Sequence, residues 1–409
     1  MPAPLDTEKH DVVIVGGGPA GVCAAIAAAR EGAETVVVER LEFLGGMATA
    51  AMFQPWRGFH SFGKQLVTGI GDQLQKRLQA EGGSPGHLLD PTGISFTATP
   101  FDWQMLKSVL ESAVNEEHVT AMFRSQFFSV KKNGKKIESL QIRRSGREVA
   151  LTAGVFVDAT GTGAVAKKAG VRTVDRDTHA SYRFSMENVD EEEVLRYARK
   201  NPHEFSANSS INGGQFFSLK GFTALTRKWL EEAPGLRRSD SIIIDGTVQR
   251  GQVVVSMIEL QNVDPEDPDS IARAEMRCGQ LTPKAARFMA DSCPGFSGAR
   301  IKERASQVGI HASRQICGMV VLSDSDVVSG RIFEDAVATC AMPGNPASTF
   351  QVSRRSMIPS EIENLIVTGR AIFPPTALFA TNAQPASMQV GEAAGKMAAE
   401  MSGKSLNKQ

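Results

Sequence analysis

The chain has 409 residues, its 45 Lys and Arg residues balance its 45 Asp and Glu residues, and 42% of it is hydrophobic. This composition is typical of a soluble globular protein of two or three domains, and the balanced charge argues against nucleic acid or a membrane as a partner. Residues 1–10 have no apolar signal segment and no run approaches the length of a membrane span, so we expect a cytoplasmic protein whose oligomeric state stays open.

Residues 11–40 carry a strand, a glycine turn, a helix and a second strand. The apolar run of residues 12–15 is typical of a parallel strand buried on both faces, and the glycines after it are spaced as G-x-G-x-x-G. The first glycine permits a tight turn, the second admits a pyrophosphate, and the third lets the helix lie close to the strand. An acidic residue ending the second strand is expected to bind ribose hydroxyls. The predicted dinucleotide contacts are Gly16, Gly18, Pro19, Ala20, Gly21 and Glu39.

A second glycine loop, LGGMAT at residues 44–49, follows the second strand. Together with GGGPAG at residues 16–21 and with Glu39-Arg40, it resembles the FAD-dependent oxidoreductases of the glutathione-reductase-like superfamily. The resemblance implies FAD as the cofactor, and it implies that this loop runs along the pyrophosphate and the flavin. The further contacts that it implies are Arg40, Gly45, Gly46, Met47, Ala48 and Thr49.

The disulfide reductases of this superfamily carry a redox cysteine pair close to that loop. This chain has no cysteine between Cys23 and Cys278, and its five cysteines show neither C-x-x-C nor metal-like spacing. We therefore expect reduced thiols, no dithiol chemistry and no metal site.

An aromatic stretch interrupted by glycine and proline covers residues 53–60 and contains Arg57 and His60. It is suited to one wall of an active site, although a packed surface loop has the same composition. Periodicity and turn residues predict helices over residues 64–80 and 100–115, and strands over residues 119–130, 137–143 and 148–152.

Residues 155–161 form another apolar strand ending in a tight turn, and they resemble the superfamily's second FAD motif, with Thr160 and Gly161 as implied contacts. Read alone, Gly161-x-Gly163-x-x-Ala166 is compatible with a separate NAD(P)H site. Such a site requires a further strand with an acidic end about twenty residues later, whereas residues 174–183 are polar. We therefore expect no separate NAD(P)H site.

Residues 182–346 mix strand and helix patterns, with a long amphipathic helix at 268–292, as expected for an inserted substrate domain. Residues 309–318 resemble one branch of the superfamily, the FAD-dependent oxidoreductase family. In that branch an Arg-Glu-Ser/Thr-Arg run is usual, and here His311 and Ala312 occupy its first two places. The lost carboxylate implies a substrate different from the family's commoner ones.

The last strand and turn are predicted at residues 363–370, and a helix of small residues at 384–400. By resemblance, this helix directs its positive N-terminal end at the flavin, which suits the negative charge of the reduced ring. The contacts implied in this segment are Gly369, Arg370, Ala386, Ser387 and Met388.

The predicted fold is α/β, with a Rossmann-like FAD-binding domain of the glutathione-reductase and p-hydroxybenzoate-hydroxylase type and an inserted α+β substrate domain. We place the FAD-binding domain in residues 9–58, 97–175 and 356–403. Residues 59–96 are an excursion to the substrate domain, which covers residues 176–355.

Flavin chemistry needs a substrate held near the ring and a group that exchanges one proton. The titratable candidates are His60 and His311, and the candidates for binding a carboxylate or phosphate are Arg57, Arg314 and Arg354. Our leading hypothesis is an FAD-dependent dehydrogenase or oxidase that takes a hydride from a small polar substrate, with or without a carboxylate, and passes it to O2 or another acceptor. The alternatives are a reductase of an activated double bond, a flavin monooxygenase and a flavin-binding protein without redox activity.

Overall fold

The computed structural model describes residues 6–206, 209, 216–236, 241–378 and 383–404, without the side chains of residues 177, 312 and 313. The first part of the chain forms β1 (Asp6–Val15), α1 (Pro19–Arg30), β2 (Thr35–Val38), α2 (Met47–Ala50), β3 (Trp56–Arg57), β4 (His60–Ser61), β5 (Lys64–Gln65), α3 (Gly69–Ala80), β6 (Leu88–Leu89), β7 (Thr97–Thr99), α4 (Trp103–Glu116), β8 (Thr120–Met122), β9 (Ser125–Asn133), β10 (Lys136–Arg144) and β11 (Arg147–Asp158).

The second part of the chain adds a second set of strands and the closing helix. Its elements are α5 (Ala164–Ala169), β12 (Thr173–Glu187), α6 (Glu191–Lys200), β13 (Ser218–Gly221), α7 (Thr223–Glu232), β14 (Ile242–Gly246), β15 (Val253–Gln261), α8 (Pro268–Ser292), β16 (Arg300–Arg304), β17 (Gly309–Ile316), α9 (Asp324–Ser329), β18 (Ala336–Ala341), β19 (Thr349–Ser353), β20 (Leu365–Val367), α10 (Pro375–Leu378) and α11 (Gln384–Met401).

The first sheet has a parallel core in the order β8-β2-β1-β11, and β20 pairs with the end of β11. Residues 12–15 pair with 35–38 on one side and with 155–158 on the other, and they are fully buried, as the apolar run predicts. β10 and β9 extend the sheet as antiparallel hairpins. Because the parallel strands end at one edge, the loops that follow them meet there.

Helices α1 and α11 pack backbone to backbone against each other. A Cβ added to Gly391 would lie 2.2 Å from the carbonyl oxygen of Ala20, and one added to Gly395 would lie 2.2 Å from that of Ala24. Only glycine allows so close an approach at these two positions. The contact therefore fixes the start of α11 relative to the glycine turn that precedes α1.

The second sheet is antiparallel in the order β13-β14-β15-β12-β16, and β17 also pairs with β12. Its central strand β12 includes residues 174–183, so the prediction that this polar stretch is not a strand is wrong. Neighbours on both edges supply backbone hydrogen bonds that do not depend on side-chain polarity. Since β12 lies in the antiparallel sheet, it does not complete a second dinucleotide unit. The residue boundaries of the domains stay a prediction.

The excursion between β3 and β7 forms two small sheets, β3-β7-β6 and β4-β5. The predicted helix at 64–80 begins only at Gly69, because Phe62 and Gly63 have positive φ and turn the chain back into the β4-β5 hairpin. The other long helices lie within a few residues of their predicted bounds. Within the described ranges, no helix combines the length and apolar character needed to cross a bilayer.

Candidate functional site

A cleft opens at the edge of the first sheet where the parallel strands end. Its empty space is about 660 Å³ counting its open mouth, which is within the range typical of ligand clefts. The lining comes from the glycine turn, the end of β2, the loop before α2, the turn after β11 and the start of α11. The predicted cofactor contacts that line it are Gly16, Gly18, Pro19, Ala20, Glu39, Arg40, Gly46, Met47, Thr160, Gly161, Gly369, Arg370 and Ser387.

The three glycines of the first turn differ in what surrounds them. Gly16 has a φ of 105°, and a Cβ there would lie 2.4 Å from the carbonyl oxygen of Ala159. A Cβ on Gly21 would lie 1.7 Å from the carbonyl oxygen of Gly16. At Gly18 a Cβ would meet only the Cα of Gly46, at 3.9 Å, so this backbone faces open space. The first and third glycines thus close the turn, and the second leaves a cradle for a phosphate group.

Glu39 is positioned by two backbone amides. Its Oε2 accepts a hydrogen bond from the N–H of Gly17 at 2.7 Å, and its Oε1 accepts one from the N–H of Leu41 at 2.8 Å. The residue is 6% exposed and lines the cleft. Each carboxylate oxygen retains a lone pair for a further donor, so the held carboxylate fits a pair of ribose hydroxyls.

Arg370 places a half-buried positive charge at the cleft. Its Nε donates to the carbonyl oxygen of Gly161 at 2.9 Å, and its Nη1 donates to that of Ile310. In the described part of the chain no carboxylate pairs with it. Burial, together with the nearby charge of Arg40, lowers the pKa of Arg370 to about 10, so the side chain stays protonated at neutral pH. A half-buried cation without a carboxylate partner fits an anionic ligand such as a pyrophosphate.

In the second glycine turn, after β11, backbone and side-chain groups of the turn bond to each other. Asp158, fully buried, accepts hydrogen bonds from the Thr160 hydroxyl at 2.7 Å and from the N–H of Ala166 at 2.8 Å. Burial raises the pKa of Asp158, against the effect of these hydrogen bonds. A Cβ on Gly163 would lie 2.3 Å from the side chain of Ile316. This turn therefore forms a wall of the first cleft and leaves no open phosphate cradle of its own.

The first turn of α11 reaches the cleft through Gln384 and Ser387. Gln384 is fixed on both sides, because its Nε2 donates to the carbonyl oxygen of Phe53 at 2.8 Å and its Oε1 accepts from the indole of Trp56 at 2.9 Å. Ala383 precedes the helix and provides no side-chain cap. The first amides of α11 and its positive dipole end are thus left for a ligand.

The remaining predicted contacts pack behind the lining. Thr49, whose hydroxyl we expect from the sequence to meet the cofactor, donates to the carbonyl oxygen of Leu44 at 2.8 Å and is 1% exposed. Its hydroxyl therefore holds the loop, because that carbonyl is the nearest acceptor. The residues in this supporting layer are Gly21, Gly45, Ala48, Thr49, Ala386 and Met388. A role for any predicted residue in FAD binding stays a prediction.

Four lining residues were missed by the sequence reasoning: Leu41, Ala159, Gln307 and Gln384. The position of Gln384 as the first residue of the last helix could have indicated it. Gln307 comes from the loop between β16 and β17, and its Oε1 accepts from Nη2 of Arg40 at 2.6 Å. No local sequence pattern indicates that Gln307 lines the cleft, since only the tertiary fold brings this loop to the glycine turn.

His311 lies on β17, a strand of the second sheet, directly after Ile310, whose carbonyl oxygen accepts from Arg370 of the cleft. Its Nε2 is 2.8 Å from the hydroxyl of Ser181, and its ring stacks on His179 with centroids 4.6 Å apart. The ring also contacts Phe53, at 5.1 Å between centroids. The backbone of Phe53 is bonded to Gln384, so a single residue separates His311 from a lining residue of the cleft.

Arg57 and His60 lie on the other side of Trp56, in the small sheets. Nε of Arg57 donates to Asp90 at 2.8 Å, and Nδ1 of His60 is 3.1 Å from the hydroxyl of Thr97. Burial lowers the pKa of His60, which favours its neutral form. Arg57 borders a second cavity beside the start of α11.

The other two arginines lie in ion pairs away from the cleft lining. Arg314 is bonded to Glu266 and donates to the carbonyl oxygen of Thr162 at 3.2 Å. Arg354, 40% exposed, pairs with Glu400 at 3.0 Å on the surface. Neither arginine lines the cleft or the cavity that Arg57 borders. The side chain of Ala312, the other departure from the family's usual run, lies outside the described side chains.

The cysteines lie in positions that are consistent with the expected reduced thiols. All five are buried free thiols, and burial raises the pKa of Cys278 to about 12 and strongly raises that of Cys23, Cys293 and Cys340. A thiol with so high a pKa is a poor nucleophile.

Solved structures with this fold include flavoenzymes. A geranylgeranyl bacteriochlorophyll reductase-like protein from Thermoplasma acidophilum matches with a TM-score of 0.52 and 16% identity, over 96% of this chain and 79% of that one. A flavin-dependent brominase matches with a TM-score of 0.51 and 13% identity, over 98% of this chain and 81% of that one. At such low identity these likenesses show the fold alone, and they confirm the predicted Rossmann-like FAD-binding architecture.

Curated relatives match over shorter stretches. A thiamine thiazole synthase of Metallosphaera sedula is 41% identical over 73 residues, which are 18% of this chain and 27% of that protein. An uncharacterized aromatic compound monooxygenase of Bacillus subtilis is 30% identical over 176 residues, 39% of this chain and 33% of that protein. The chain thus spans about a third or less of the length of the curated relatives it matches.

The family model described as FAD dependent oxidoreductase matches residues 11–407, which include every segment that forms the cleft. The chain therefore belongs to the FAD dependent oxidoreductase family and is an oxidoreductase with FAD as its cofactor.

Proposed function

We propose that this enzyme oxidises a small polar alcohol or amine by hydride transfer to FAD, with O2 or another acceptor completing the cycle, in the cytoplasm. The proposal rests on the contact of His311 with Phe53, whose backbone is bonded to Gln384 in the lining of the cleft. FAD supplies the two-electron acceptor in such a reaction. The chain must then bind the substrate, orient its C–H bond and take up one proton.

His311 is suited to take up that proton. An imidazole exchanges protons near neutral pH, and the contacts with Ser181, His179 and Phe53 fix the plane of this ring. In the proposed step the substrate loses its O–H or N–H proton to His311 while its C–H hydride leaves, so that the C–O or C–N single bond becomes a double bond. The hydrogen bond between Nε2 and the Ser181 hydroxyl is compatible with either tautomer of the ring, because a hydroxyl both donates and accepts.

The filled second glycine turn supports a substrate as the hydride donor. The amides of Thr160 and Ala166 donate to Asp158, and a side chain at Gly163 would strike Ile316. In the described ranges this motif therefore offers no docking place for NAD(P)H.

The decisive experiment mixes oxidised holoenzyme anaerobically with a panel of alcohols and amines, and separately with NADH and NADPH. We expect one alcohol or amine class to bleach the yellow flavin absorbance and neither nicotinamide to do so. Bleaching by a nicotinamide alone would refute the proposal. If the nicotinamide reaction also accelerated with an aromatic compound, the enzyme would be a monooxygenase, the activity after which the Bacillus subtilis relative is named.

Replacement of the imidazole tests the proton acceptor. We expect His311→Gln to slow the anaerobic reduction by about 10²–10⁴-fold, the usual contribution of a general base, with FAD still bound. His203→Gln changes an exposed histidine on another surface and should leave the rate unchanged. An unchanged rate in His311→Gln would remove this residue from the reaction.

A further inference from the structure

A second cavity adjoins the FAD cleft across the first turn of α11. Gln384 and Ser387 face the cleft, whereas Ala383 and Ala386, each one residue earlier, face the second cavity. The empty space there is about 360 Å³ counting its mouth, near the lower end of the range of ligand clefts. A small molecule bound in it would lie beside the same helix turn that borders the FAD cleft.

Two buried polar groups on the cavity wall have no partner among the described residues. They are Nη2 of Arg57, whose side chain is 8% exposed, and the hydroxyl of Ser95, which is 6% exposed. Buried donors are normally paired, and each unpaired one costs free energy. Both groups line the cavity, so a ligand placed there would satisfy them together.

Asp90 holds both donors in place. Its Oδ2 accepts from Nε of Arg57 at 2.8 Å and from the backbone N–H of Ser95 at 3.2 Å. Its Oδ1 accepts from the hydroxyl of Thr92 at 2.7 Å. Nε of Arg57 is thus fixed by Asp90, and its Nη2 has no partner among the described residues.

Positive groups also surround the cavity. The charge of Arg57 is paired with Asp90, and the buried Arg183 lies opposite Asp245; burial raises the pKa of Asp245 and lowers that of Arg183. The N-terminal end of α11, without a side-chain cap, adds its positive dipole at Ala383 and Ala386.

We propose that this cavity binds a carboxylate of the substrate, with Nη2 of Arg57 and the hydroxyl of Ser95 as donors. The assignment rests on the proposed function, because it narrows the substrate of that reaction to small hydroxy or amino acids. A carboxylate accepts at several positions and so takes both donors at once.

The test titrates acetate into the oxidised holoenzyme, with acetamide as a neutral probe of similar shape, and follows the visible flavin spectrum. Acetate should perturb the spectrum and bind at least about tenfold more tightly than acetamide, since charge assistance strengthens both hydrogen bonds. Equal affinities, or no acetate binding, would show that the cavity holds water or belongs to the cofactor, and would overturn the proposal.

Two variants locate the bound acetate. Ser95→Ala and Arg57→Lys should each weaken acetate binding by about tenfold or more, and the lysine keeps the charge opposite Asp90 so that the fold is preserved. Ser61→Ala is the matched control, because the hydroxyl of Ser61 already donates to Pro346 at 3.0 Å. Unchanged affinity in both cavity variants would refute the assignment.

The readout is independent of turnover. If no alcohol or amine bleached the flavin but acetate bound through Arg57 and Ser95, the proposed reaction would fail and the anion site would stand. If a neutral alcohol bleached the flavin and acetate did not bind, the reaction would stand and the anion site would fail.

Discussion

Substitution of Gly391 by alanine tests how the two helices position the cofactor site. The added Cβ would lie 2.2 Å from the carbonyl oxygen of Ala20, whereas ordinary contacts begin near 3.4 Å, so the backbones must separate by about 1.2 Å. Overpacking of this kind costs about 1–3 kcal/mol. Since Ala20 and Ser387 both line the cleft, we expect Gly391→Ala to be less stable to urea and to bind FAD more weakly.

A matched glycine gives the opposite expectation. Gly279 lies inside α8, and a Cβ there would meet only the end of the Arg304 side chain at 3.9 Å. Alanine is the better helix former by about 1 kcal/mol, so Gly279→Ala should raise the free energy of unfolding and leave FAD affinity unchanged. If Gly391→Ala proved as stable as the unaltered protein and bound FAD equally well, the close packing of α1 and α11 would not control the site.

Two further substitutions test the ribose contact and an acid-sensitive histidine. Glu39→Gln should weaken FAD binding by about 1–3 kcal/mol, because an amide side chain has only one oxygen and cannot accept from both backbone N–H groups. Fluorescence titration of the apoprotein with FAD measures the affinity, and equal affinities would contradict the prediction. Burial, reinforced by His60, lowers the pKa of His87 from 6.5 to about 4. The unfolded state therefore binds more protons in that window, and stability falls as the pH drops from 6.5 toward 4. Urea unfolding of both proteins at those two pH values measures the loss. His87→Gln should lose less stability than the unaltered protein, and an equal loss would exclude His87 as the cause.

The part of the cleft that is formed by the glycine turn and by the end of β2 could be predicted, because its contacts are local in the sequence. The turn at Gly16 and Gly21 needs glycine, since any Cβ would strike the backbone within the same strand-turn-helix unit. The carboxylate of Glu39 meets Gly17 and Leu41, all within one βαβ unit. Constraints of this kind leave a readable spacing in the sequence.

The rest of the cleft could not be predicted because it depends on distant contacts. Gln307 reaches Arg40 across 267 positions, and Gln384 reaches Trp56 across 328. Polar residues of β12 form a central strand because of the neighbours that the fold provides, which no local pattern of polarity indicates. The same limit applies to the arginines, because Arg57, Arg314 and Arg354 are equal candidates in the sequence. In the structure Arg354 lies on the surface, Arg57 and Arg314 are both buried in ion pairs, and only Arg57 borders the second cavity.

The first turn of α11 links the two proposed ligands. Gln384 and Ser387 border the FAD cleft, and Ala383 and Ala386 border the cavity assigned to a carboxylate, so one positive helix end serves both. If the flavin lies beside this turn as predicted, its reduction would add negative charge there and would oppose a carboxylate on the other side. Thermodynamic linkage then requires that reduction weakens carboxylate binding by the same factor by which a bound carboxylate disfavours reduction. This coupling would help to release the oxidised acid once hydride transfer is complete.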